Sequence, residues 1–295
     1  MEMLLQALIS GGSQGCVYAL LALGFSVIFS TLKMGHFAQG DLYMVGVFVG
    51  LALSTQLELP VFFVFLGSAI LVSLLMLVLE RIAYRPLYSA SPMSLIMCTM
   101  GMQFVLQTIV RLIWGNEIRR FPPFFQNRIF RFSIFGSDLS LSMQNLMVLT
   151  ISFGLMLILF IFMTRTKTGI AMSAVSMNRK ASALMGVKIN TIITATYIIA
   201  AALAAITGVL MGPQFSARFS MGGIMGNKAM IAAIMGGFGN MPGAVVGGII
   251  LGFAETLAAL YISAAYKDVV AFVILIIILF IKPEGLFGRA AITKV

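Results

Sequence analysis

The chain has 295 residues, 60% of them hydrophobic and only 9% charged, with a mean hydropathy of +1.06. That excludes an ordinary soluble protein, and the alternating ten-residue pattern of an outer-membrane barrel is absent, so helices of roughly 20 residues in lipid are expected. The formal charge of +10 does not call for nucleic acid, because the basic residues lie largely in loops, where they set topology and meet anionic lipid.

The expected fold is all-α, a polytopic transmembrane helical bundle of about eight to nine membrane segments forming one domain over residues 1–295. Cys16 and Cys98 sit in apolar runs as packing residues, with no disulfide framework or metal spacing. The first helix starts at Met3 without a basic n-region, so no removable signal peptide is expected.

Segment one runs from Leu4 to Ser30, and its Gly11 and Gly15 have the small-xxx-small spacing that admits a second backbone. Residues 33–41, KMGHFAQGD, form a polar hinge. Segment two, Leu42–Thr55, is short for a crossing unless its polar start is also embedded. Segment three spans Pro60–Leu79 and segment four Pro92–Trp114. Residues 115–144 form a hydrophilic extracytoplasmic loop long enough for a small cap. Segment five is Asn145–Met163 and segment six Thr191–Met211. Residues 212–243 are glycine-rich and ambiguous. The last two segments are Ala244–Ile262 and Val269–Ile281, followed by a basic tail.

Between segments five and six, residues 164–190 carry five basic residues and no acidic one. Asn178 is placed to cap a short helix with Ala181, Leu184 and Met185 at i, i+3 and i+4, and Gly186 sits where such a helix stops. About two turns is too short to persist alone, and Arg179 and Lys180 in its first turn oppose the helix dipole. Such a helix needs a surface to lean on; an ordinary cytoplasmic loop obeying the positive-inside rule is the other reading. Placing 164–190 inside also puts Arg81, Arg85, Lys282, Arg289 and Lys294 inside. It gives about nine crossings with the N-terminus out, or about seven plus a re-entrant hairpin if 229–240 is a half-helix. Arg119, Arg120, Arg128 and Arg131 then fall outside, against the rule.

No catalytic constellation is present: His36 is the only histidine, and no phosphate-binding loop occurs. His36, Gln39 and Asp41 cluster where a helix N-terminus would favour an anion, and Asp41 or Gln39 is equally placed simply to cap it. Gly236, Gly237, Gly239, Pro242 and Gly243 break a helix, which at membrane depth implies backbone lining a cavity. Gly243/Gly247 and Gly248/Gly252 are i, i+4 packing pairs. Glu255 lies mid-segment at a cost of about 2–3.5 kcal/mol and must face a partner or water. An ion-coupled carrier using Asp41 and Glu255 is a rival reading, and an intramembrane enzyme a weaker one.

Three blocks carry a family resemblance. MGHFAQGDLYMVG resembles the INFAHGE-x-YM-x-G signature of high-affinity branched-chain amino-acid ABC importer permeases, and LVLERIAYRPL resembles their ERVAYRP block. RKASALMGVKIN, GVLMGPQF, AAIMGGFGNMPGAVVGGIILGFAETLAALYISAAYKDVVAF and KPEGLFG continue the match in order. The chain looks like the shorter of the two permease subunits. The resemblance implies a multi-pass protein of the cell inner membrane that pairs with a second permease subunit. It also implies two cytoplasmic ATP-binding subunits and an extracytoplasmic substrate-binding protein, with no cofactor on this chain. It makes Arg179, Lys180, Ala181, Leu184, Met185 and Gly186 the element seated on an ATPase. The pathway would include His36, Phe37, Gln39, Gly40, Asp41 and Tyr43 with Gly236, Gly237, Gly239, Pro242 and Glu255. This sequence has His36, Gln39 and Asp41 where relatives commonly have Asn, His and Glu, and lacks the usual acidic residue near Lys180. Urea and short-amide importers share much of the motif set and are the alternative substrates.

Overall fold

The computed structural model describes residues 2–124, 129–134 and 137–288. The helices are α1 (Glu2–Leu32), α2 (Gln39–Thr55), α3 (Val61–Leu79), α4 (Pro92–Trp114), α5 (Met143–Arg165), α6 (Lys167–Met177), α7 (Arg179–Leu184), α8 (Ile189–Phe215), α9 (Met221–Gly236), α10 (Met241–Tyr261) and α11 (Lys267–Ile281). Between α4 and α5 stand the strands β1 (Ile129–Ile134) and β2 (Ser137–Ser142). They form an antiparallel hairpin running from Ile129 opposite Ser142 to Ile134 opposite Ser137. This hairpin is the one departure from an all-α chain among the described residues, and the alternation in SDLSLS is its local signal.

Seven helices among the described residues are long and apolar enough to cross a membrane: α1, α3 with its continuation to Leu87, α4, α5, α8, α10 and α11 with the turn before it. Two shorter helices, α2 with 17 residues and α9 with 16, lie inside the bundle. The most apolar window of α1 is 89% buried whereas that of α11 is 6% buried, so α1 is a core helix and α11 a peripheral one. Residues just ahead of the helices explain the boundaries. Ser91, Ser142, Thr166, Asn178 and Asn240 each accept a backbone N–H from the first turn of the following helix. Pro92 and Pro242 occupy first-turn positions that need no donor.

The glycine pairs read from the sequence pack against neighbouring backbone. A Cβ at Gly15 would approach Ile249 Cα to 2.8 Å, and one at Gly252 would fall on the backbone of Gly15. Gly248 meets Ala19 in the same way, so α1 and α10 touch backbone to backbone. Gly243 and Gly247 face the other neighbour, α9, at Gly236 and Ala232.

At one end of the bundle, Phe238 stacks on Phe29 with centroids 4.1 Å apart, the C-terminal segment bonds to the end of α9, and Arg179 of α7 bonds to Thr31 of α1. At the other end Arg119 pairs with Ala217, and Gln6 with Ser140. The cations of 164–190 make the first end the inner one. The turn between α9 and α10 reaches that same end, so α9 runs from inside the bundle to it. Arg128, Arg289 and Lys294 lie outside the described residues.

Candidate translocation site and coupling segment

Two helices, α2 and α9, begin inside the bundle. The sequence places four polar residues, Thr99, Gln103, Gln107 and Arg111, at intervals of four along α4, and this ladder serves both starting points. Thr99 Oγ1 lies 3.4 Å from the Phe37 N–H ahead of α2, and Gln107 Nε2 donates to Asp41 Oδ1 at 2.9 Å. Gln103 lies against Gly223 in the first turn of α9, and Arg111 sits over the Phe219 ring, 5.6 Å from its centroid. Thr99 and Gln107 are each seven residues from an end of α4, so α2 starts about 10 Å deep. The polar start of segment two is therefore embedded.

Neither Gln39 nor Asp41 caps α2. Gln39 Nε2 donates to the Ala200 carbonyl of α8 at 2.8 Å, and no side chain caps the helix. Asp41 is fully buried, and its Oδ2 has no partner among the described residues. It lies in the first turn of α2 and against Gly222 of α9, where two helix N-termini meet and a negative charge is favoured. Gly40 allows that meeting, since a Cβ there would fall on the Gly222 carbonyl oxygen. His36 is buried with Nε2 3.2 Å from Tyr84 Oη, and its ring meets those of Tyr84 and Tyr197 edge-on at 5.4 and 5.3 Å. Tyr84 comes from a π-helical turn, Glu80–Tyr84, that continues α3. Tyr43 is buried one turn into α2, with its carbonyl against Gly208. Phe37 is half-buried.

Gly236, Gly237, Gly239 and Pro242 are placed differently from the sequence expectation of a break at membrane depth. They form the inner-end turn between α9 and α10, with Gly237 at φ +105° and Gly239 at φ +89°. The chain's own C-terminal segment covers it. Leu286 and Phe287 N–H donate to the carbonyls of Met235 and Gly236 at 2.8 and 3.0 Å, and Asn240 Nδ2 donates to the Phe287 carbonyl at 2.7 Å. Backbone satisfied by protein needs no cavity. The break at depth lies instead at 33–38, ahead of α2.

Glu255 has two partners among the described residues. Tyr18 of α1 donates to Oε2 at 2.7 Å, and Lys228 Nζ of α9 lies 2.8 Å from Oε1. The Lys228 contact is an ion pair off the hydrogen-bond direction, because Oε1 has no aligned donor. Lys228 also pairs with Asp268 of α11 at 2.8 Å. Asp41 bonds to α4 while Glu255 bonds to α1 and α9, so the two carboxylates do not form one ion site. Among the described residues no three histidine, cysteine or acidic side chains gather as metal ligands.

The basic segment folds as two short helices. Asn178 Oδ1 accepts the Ala181 N–H at 3.0 Å, and Gly186 ends the turn at φ +84°. Leu184 and Met185 are 89% and 85% exposed, with Ala181 and Lys180 exposed beside them. The apolar side of α7 is thus uncovered among the described residues. Arg179 is exposed as well, but its Nη2 reaches the Thr31 carbonyl at 2.8 Å.

The family pattern described as branched-chain amino acid transport system, permease component, matches residues 7–279. The chain belongs to this permease family. Its relatives include the high-affinity branched-chain amino acid transport system permease protein LivH of Salmonella typhimurium, 34% identical over 99% of this chain and 97% of the relative. BraD of Pseudomonas aeruginosa, a permease protein of the same description, is 33% identical over 99% and 98%. The fold also occurs in PsaBC from Streptococcus pneumoniae in complex with Fab, at a TM-score of 0.52 and 13% identity over 97% of this chain and 94% of that one. This permease is a multi-pass membrane protein. Sequence reasoning missed two of its polar residues, Gln107 and Lys228. Both had a signal: each is a polar side chain in an apolar helix, expensive there without a partner.

Proposed function

We propose that the chain is the non-catalytic permease subunit of an ABC importer that moves branched-chain, small apolar amino acids inward across the cell inner membrane. Its partners on this reading are a second permease subunit, two cytoplasmic ATP-binding subunits and an extracytoplasmic binding protein. ATP is bound by the partners, and the chain itself needs no cofactor. The carrying observation is the exposed apolar side of α7 in a chain that matches its family over residues 7–279. An apolar surface of this kind, on a helix too short to stand alone, suits a docking contact. Closure of the ATPases would move α7 and, through Arg179, the inner end of α1 next to the embedded start of α2. A two-state shift of that hinge is how a packed bundle changes access.

The test is uptake of labelled leucine and of urea by proteoliposomes holding the assembled transporter. Leucine uptake that requires ATP and survives collapse of the ion gradients is expected. Uptake of urea alone, or uptake driven by an ion gradient without ATP, overturns the assignment.

A further inference from the structure

The ion network around Lys228 opens onto a cavity of about 540 Å³ on the outer side of α9. This volume lies within the few hundred to a thousand Å³ of small-molecule sites. Its charged wall consists of Arg218, Lys228, Lys267, Glu255 and Asp268, with Tyr18 beneath. Lys228 is held between the two carboxylates, with its side chain only 12% exposed, whereas Arg218 and Lys267 have no ion-pair partner among the described residues. Asp268 is 66% exposed on its side chain and open to a ligand. The face of α9 that carries Lys228 adds Met221, Ile224 and Met225 to the lining, beside Phe215, and uncharged polar side chains such as Ser13, Gln14 and Asn145 complete it.

We infer that this cavity is a binding site for a zwitterionic α-amino acid within the permease itself, a deepening that rests on the importer reading above. The carboxylate would sit on Arg218 and Lys267, the ammonium on Asp268, and the apolar side chain against α9. Three cations and two carboxylates leave the wall with poles of both signs. Carboxylate recognition by Arg and Lys is the charge-assisted bond with the most to gain in a partly desolvated site. An uncharged amide such as urea satisfies neither pole and leaves those groups bare. The site therefore rejects it in a way an apolar pocket alone cannot.

The experiment places a cysteine in the wall, Ser220→Cys, in the assembled transporter. It measures protection from a thiol reagent by leucine, isopentylamine, 4-methylpentanoate and urea. Leucine is expected to protect at concentrations at least tenfold below either singly charged analogue, with no protection by urea. Asp268→Asn, and Arg218→Gln with Lys267→Gln, are each expected to raise the leucine concentration needed at least tenfold while the subunits still co-purify. Equal protection by all four compounds, or none by leucine in a transporter that imports it, overturns the site and leaves the importer reading intact. Urea uptake without leucine uptake overturns both. If the variants lose co-purification, the wild-type ranking of the four compounds alone decides.

Discussion

Arg179, the first residue of α7, donates its guanidinium to the carbonyl of Thr31 near the inner end of α1, at 2.8 Å. That bond joins the basic segment to the helix that leads into the embedded hinge at 33–38. Arg179→Ala should therefore leave insertion and partner ATPase activity in place while leucine uptake falls several-fold. Uptake unchanged against matched ATP hydrolysis would remove Arg179 from the coupling path.

Leu184 tests docking separately from coupling. Burying one such side chain is worth about 1.5–3 kcal/mol, so Leu184→Glu should weaken capture of the ATP-binding subunits by tenfold or more. Gly186→Arg should act in the same direction, because φ +84° disfavours any side chain there. Co-purification in mild detergent reads both. Full recovery of the ATPase with either variant would mean that the exposed side of α7 is not the docking surface.

The contact of α1 with α10 depends on absent side chains. Gly15→Val and Gly252→Val should each destabilise the detergent-solubilised protein by about 1–3 kcal/mol or more, since neighbouring backbone cannot yield as a side chain can. Gly101→Ala and Gly154→Ala are the controls, because a Cβ at either meets nothing within 4 Å. Helix propensity makes these neutral or slightly stabilising. Thermal unfolding that failed to separate the two pairs would count against the packing described.

Glu255→Leu strands Lys228 in the bundle. Removing one partner of a buried pair costs about 3–5 kcal/mol, discounted here because Asp268 remains beside Lys228. Loss of stability or assembly is expected, with partial recovery on adding Lys228→Met. A single variant as stable as the parent would place Glu255 in contact with water or lipid headgroups.

Where α2 begins inside the bundle, Gln107→Leu should destabilise by about 1–3 kcal/mol, because Asp41 then loses its side-chain donor. Asp41→Leu with Gln107→Leu should cost less than the sum of the single changes. Additive effects in a double-mutant cycle would show that the 2.9 Å contact carries no coupling.

Class, family and most helix boundaries were legible in the amino-acid order alone. Hydropathy over a lipid-sized window, cap residues such as Ser91 and Asn178, and the sign of loop charges are local quantities, and they act before any tertiary contact forms. The glycine pairs were legible as packing surfaces too, though not which helix each would meet. The positions of the backbone breaks came from the packed bundle. A glycine run reads the same at a membrane's centre as at its edge, and 236–242 proved to be an edge turn covered by the C-terminal segment. Partner choice was likewise invisible: Gln107 reaches Asp41 across 66 residues and Tyr18 reaches Glu255 across 237. A buried charge in one helix states that a partner must exist, but the packing of the others determines which one comes within reach.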